Sequence, residues 1–125
     1  MGLDMYAYSI AKEIAEETPA NGLLHSESTE IHYWRKHPNL HGWMHQLYLA
    51  KGGDPEDSFN GVPVPLSIID IVKLKLTISA GILPNTTGFF FGSSSGEEIA
   101  DDIKFCDDAA KELSNGNVVY YTSSW

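Results

Sequence analysis

Cationic side chains are scarce in this chain of 125 residues: eight lysines and arginines stand against seventeen acids, a net charge of −9. That balance argues against general affinity for nucleic acid or an anionic membrane, because phosphate contacts need clustered cations. Cysteine is scarcer still. Cys106 alone is present, so an internal disulfide and a cysteine-based zinc site are excluded, and the chain fits a reducing cytoplasm. No apolar run reaches the roughly 18 residues that a bilayer-crossing helix needs. The opening MGLDMYAYSI has no cationic start ahead of an apolar stretch, so a secretory signal is not expected. Apolar residues make up 42% and charged ones 20%, which places the chain among folded rather than disordered sequences. Its length suits a single domain over residues 1–125 with one hydrophobic core.

Acids, though abundant, are missing from one window. None occurs between Ile31 and Gly53, where Arg35, Lys36, Lys51 and four of the five histidines lie. The stretch EIHYWRKHPNLHGWMHQLY, residues 30–48, also holds two of the three tryptophans. It is a locally cationic, aromatic island in an acidic protein.

Periodicity places this island within an α+β chain. Leu3 to Ile10 alternates loosely and reads as a strand, with AKEIAEE adding a short helical turn and residues 19–29 a loop. TEIHYWRK reads as a second strand, with Ile31, Tyr33 and Arg35 on one face and His32, Trp34 and Lys36 on the other. Pro38 suits the first turn of a helix, whose inner side would carry Leu40, Trp43, Met44 and Leu47. VPVP is extended. Ser67 can cap a helix running to Ala80 and stopped by Gly81; apolar around most of its circumference, it reads as the central core helix. GFFF gives a short aromatic strand, and Ser95 with Glu98 a capping box for a last helix closed by Gly116. VVYYTSS is the final strand. The expected architecture is a small antiparallel sheet of three to five strands covered by three main helices.

Most motifs favour structure over chemistry. His37, His41 and His45 recur at helical spacing, but no glutamate completes a protease-type zinc motif and no nearby acid supplies a third ligand; no metal is expected. Cys106 lies in an apolar stripe with nothing cationic beside it, which suits packing better than nucleophilic work. GFFFGSSSGEE lacks the endings of known phosphate loops, and Glu97 and Glu98 would repel an anion. Tyr33-Trp34-Arg35-Lys36 is different. An arginine fork binds phosphate or carboxylate, and neighbouring rings stack on planar groups. Asp4, an acid in an apolar strand, calls for a cationic partner, with Arg35 or a histidine the evident choice.

MGLDMY at the start, YWRKHPNLHGW in the middle and LPNTTGFFFGS further on resemble the motifs of a family of small phage and bacterial proteins. The resemblance runs through Gly2, Leu3, Asp4, Met5 and Tyr6, then Tyr33, Trp34, Arg35, Lys36, Asn39, His41 and Trp43, and finally Gly88 to Gly92. Some members carry a phosphoglycerate kinase label, which a chain of this size is far too short to bear out. The resemblance implies a phage or prophage origin and a shared polar and aromatic site, without supplying a reaction.

The leading expectation is therefore a non-enzymatic accessory protein in the host cytoplasm that binds a small anionic or planar ligand such as a nucleotide, with no cofactor. Arg35 and Lys36 would hold the anion, His41 would donate a hydrogen bond, Trp34 or Trp43 would stack, and Asp4 would orient Arg35. Tyr33 and Asn39 complete the set. One alternative is an acidic interaction module, built on DDIKFCDDAAKE, that covers a basic host protein. Another is a small hydrolase using Asp4 and His41 as an acid–base pair. Self-association is left open, since no exposed apolar stripe is evident in the sequence.

Overall fold

A computed structural model describes residues 3–12, 28–35, 37–56, 59–84 and 99–125. Four strands and three helices follow in the order β1 (Asp4–Ile10), β2 (Thr29–Arg35), α1 (Pro38–Ala50), β3 (Val64–Leu66), α2 (Ile68–Ala80), α3 (Ile99–Ser114) and β4 (Val118–Ser124). The strands form one sheet in the order β2-β1-β4-β3, and every neighbouring pair is antiparallel. The protein is an α+β fold, with one small sheet and three helices among the described residues. Most of the AKEIAEE turn, most of the 19–29 loop, Lys36, the GFFF strand and the Ser95–Glu98 box lie outside the described residues.

The sheet has two unlike faces because side chains alternate along each strand. Leu3, Met5 and Ala7 are fully buried, as are Val119 and Tyr121 of β4. They share one core with Leu40 and Met44 of α1, Ile71, Leu74 and Ile78 of α2, and Phe105, Cys106 and Ala109 of α3. All three helices therefore cover the same face. The opposite face carries Asp4, Tyr6 and Tyr8 from β1, Tyr33 and Arg35 from β2, and Thr122 and Ser124 from β4, as the register dictates.

A bulge in β2 corrects one reading of that strand. Ala7 pairs with His32 but Tyr8 pairs with Glu30, so Ile31 is the extra residue. A bulge places two successive side chains on one side. Ile31 consequently packs against the core instead of joining Tyr33 and Arg35, while His32 contacts the Trp34 ring at 4.3 Å and Phe105 at 5.8 Å.

Local chemistry fixes the helix ends. The Ser67 hydroxyl accepts from the Asp70 N–H and the Asp70 carboxylate accepts from the Ser67 N–H, a reciprocal box at the start of α2. Lys51 Nζ donates to Asp70 Oδ2 at 2.7 Å and to the Pro65 carbonyl at 2.6 Å, tying the end of α1 to β3 and α2. Burial alone would raise the Asp70 carboxyl, but these hydrogen bonds from Lys51 and Ser67 outweigh it and hold the pKa low. Gly81 closes α2 in the left-handed conformation, φ 70°.

Phe59 is the one non-glycine among the described residues with positive φ, 66°. That backbone costs on the order of 1 kcal/mol. Its ring offsets the cost by lying fully buried, stacked on His45 at 4.9 Å and against Tyr48 at 5.0 Å.

Candidate functional site

The island expected from the sequence is divided by the sheet. Trp34 and His41 turn inward, whereas Arg35, Tyr33 and Asp4 turn to the other face of the sheet. The Trp34 indole is 5% exposed and its Nε1–H donates to Asp102 Oδ1 at 2.9 Å. His37 Nε2–H donates to Asp102 Oδ2 at 2.6 Å. Asp102 is 1% exposed, so one buried carboxylate of α3 holds both a strand and the approach to α1. Each oxygen of this buried carboxyl group has its own hydrogen-bond partner, as burial of a polar group requires.

His41 sits deeper, 2% exposed. Its Nδ1 and the Tyr121 hydroxyl share a hydrogen bond of 2.6 Å, and Trp125 meets the ring edge-on at 5.0 Å. Burial, with a smaller contribution from His45, lowers the imidazole to about 4, while burial pushes the Tyr121 phenol well above its ordinary range. The pair is neutral and enclosed at pH 7. Because Tyr121 and Asp4 belong to opposite faces of the sheet, His41 and Asp4 cannot act on one substrate as an acid–base pair.

The remaining expected residues separate further. Trp43 is half-buried and packs on the core. Asn39 is half-buried in the first turn of α1, and Lys36 lies outside the described residues. Lys51, spent on Asp70 and Pro65, adds nothing to a cationic surface. Among the described residues no three His, Cys, Asp or Glu side chains gather as a metal would require. Cys106 is buried, its thiol raised to about 12 chiefly by desolvation, which leaves it protonated and inert.

What the fold does assemble is a tyrosine face. Asp4 lies opposite Arg35 on one side and Ser124 on the other; Tyr6 lies opposite Tyr33 and Thr122. Arg35 Nε is 3.7 Å from Asp4 Oδ1, and the Tyr33 hydroxyl donates to the same oxygen at 2.7 Å. That hydrogen bond is the main cause of the raised Tyr33 pKa. Tyr6 meets the Tyr33 ring at 5.3 Å and stacks on Tyr8 at 6.0 Å, which in turn stacks on Tyr120 at 5.5 Å. Four tyrosines thus run diagonally across three strands, from exposed Tyr33 to fully buried Tyr120.

Beside this row is a depression of about 180 Å³ lined by Tyr6, Tyr8, Gly61, Thr122, Ser123 and Ser124. Thr122 and Ser123 of this wall are buried, 5% and 2% exposed, with their hydroxyls closed to solvent and without hydrogen-bond partners, while Ser124 is exposed. Sequence reasoning missed Tyr8, Thr122 and Ser124. The signal was there in period two: DMYAY puts Asp4, Tyr6 and Tyr8 on one face, and YYTSS does the same for Tyr120, Thr122 and Ser124.

No family model matches the chain, and no curated protein or solved structure does so either.

Proposed function

We propose that this is a phage or prophage accessory protein that binds a small planar anionic ligand, such as a nucleotide, on the tyrosine face of its sheet. The observation that carries the reading is the row of tyrosine rings beside a depression whose wall includes the exposed Ser124, in strand register with Asp4 and Arg35. Tyr6 and Tyr8 offer ring faces to a planar group, the exposed Ser124 offers it a hydrogen bond, and Arg35 offers a fork to an anion. Asp4 orients Arg35 and Tyr33. Two strand spacings separate Arg35 from the depression, about 10 Å, which suits a base and a phosphate joined by a sugar. A volume of about 180 Å³ is below the roughly 300–1,000 Å³ of a site for a whole drug-sized ligand, so the depression takes one ring and the rest lies along the face. In this role the protein would work in the host cytoplasm by sequestering a nucleotide signal.

The acidic-module alternative has less support. Among the carboxylates of α3, Asp102 is turned inward, Asp107 and Asp108 pair with Lys75 and Lys104, and Glu112 accepts from the Ser9 hydroxyl.

Calorimetry against a panel of nucleoside monophosphates and cyclic dinucleotides tests the reading. Micromolar binding is expected for at least one, weakened about tenfold or more by Arg35→Ala or Tyr6→Ala and several-fold by Ser124→Ala. Heatless titration across the panel, or binding indifferent to all three substitutions, would overturn it.

A further inference from the structure

Helix α2 is apolar around most of its circumference, with Lys73, Lys75 and Ser79 exposed among or beside its apolar residues, yet only one of its sides is covered. Asp70, Ile71, Leu74 and Ile78 are buried. On the far side Ile68, Ile69, Val72 and Leu76 stand 47%, 62%, 52% and 66% exposed, and Ile82, just past the Gly81 cap, 69%. At about 100° per residue these four helical positions fall within one stripe opposite the core. Four of the eight exposed large hydrophobic side chains among the described residues are thus gathered on one element, and a fifth, Ile82, follows its cap. Scattered apolar residues need no explanation, but a stripe of this kind does.

The composition of the stripe indicates what covers it. Exposed isoleucine, valine and leucine at these fractions amount to a patch of roughly 500 Å². Two such patches brought together bury about 1,000 Å², the lower limit for a specific interface. Charge points the same way. In a protein of net charge −9, two copies repel one another wherever they present carboxylates. The single acid of α2, Asp70, is buried and bonded to Ser67 and Lys51, so the helix offers none. A straight apolar stripe on a helix is also self-complementary under a two-fold axis, the commonest symmetry of small oligomers.

We propose that α2 is a homodimer face: two copies pack antiparallel along this helix, Ile69 of each against Leu76 of the other, with Val72 beside the two-fold axis. The inference is independent of the ligand reading, because the stripe and the tyrosine face belong to opposite sides of the molecule's helix layer and sheet.

Sedimentation velocity over a hundredfold concentration range tests it on the full chain. Wild type should move from monomer to dimer with micromolar affinity, and Ile69→Lys/Leu76→Lys should weaken association about a hundredfold with an unchanged circular dichroism spectrum. A second variant guards against a misfolded first one. Val72→Cys should form an oxidised covalent dimer, a clean report because the native Cys106 is buried. A wild-type monomer at every concentration, including one whose α2 instead takes up a vesicle, would overturn the proposal. So would a dimer that survives the double substitution, or a Val72→Cys protein that does not cross-link.

Discussion

Burial takes the His41 imidazole out of the range in which exposed histidines titrate. Desolvation first, and His45 second, lower it from 6.5 to about 4. Between those values the unfolded chain binds a proton that the folded protein refuses. The stability due to neutral His41 is therefore complete above pH 6.5 and is lost as the pH falls toward 4. The whole loss is about 3 kcal/mol. Urea midpoints of wild type and His41→Asn between pH 4 and 7 should converge as the pH falls, since Asn carries no proton; parallel curves would contradict the assignment. The comparison is needed because His32 is also lowered by burial and adds to the slope in both proteins. At this scale the sequence was partly legible. The spacing of His37, His41 and His45 marks one flank of a helix, but their partners, Asp102 and Tyr121, stand 65 and 80 residues further along the chain, where no local pattern points to them.

Pairing between elements decides what side-chain periodicity leaves open. The strands at Asp4–Ile10, Thr29–Arg35 and Val118–Ser124 could be read from alternation and β-branched or aromatic content, and the α2 ends from Ser67 and Gly81. The bulge at Ile31 could not, because an extra residue is defined only against its partner strand. Nor could the exposure of α2: an apolar circumference reports what a helix can bury, not what lies beside it. Helix α3 supplies the element-scale prediction. Asp102 fastens it to β2 through Trp34 and to the start of α1 through His37. Asp102→Ala leaves two buried donors unpaired and should cost about 2–4 kcal/mol in denaturant unfolding. A loss below about 0.5 kcal/mol would mean that this junction is not what locks α3 to the sheet.

Across the whole molecule, the sheet sorts side chains between the face that packs under the helices and the face that carries the tyrosine row. The sequence pattern located a polar and aromatic concentration near Arg35, and Arg35, Tyr33 and Asp4 do share one surface. Adjacent residues in a strand point to opposite faces, so Trp34 could never have joined them while its neighbours stayed outside. The tyrosine face draws instead on β1 and β4, more than a hundred residues apart in the chain and adjacent only after pairing. Amide and indole NMR during nucleotide titration tests this division most directly. Signals of Tyr6, Tyr8, Arg35 and Thr122 should move together and saturate, while the Trp34 indole N–H, bonded to Asp102, stays in place. A shifted Trp34 indole beside an unmoved sheet face would contradict the account.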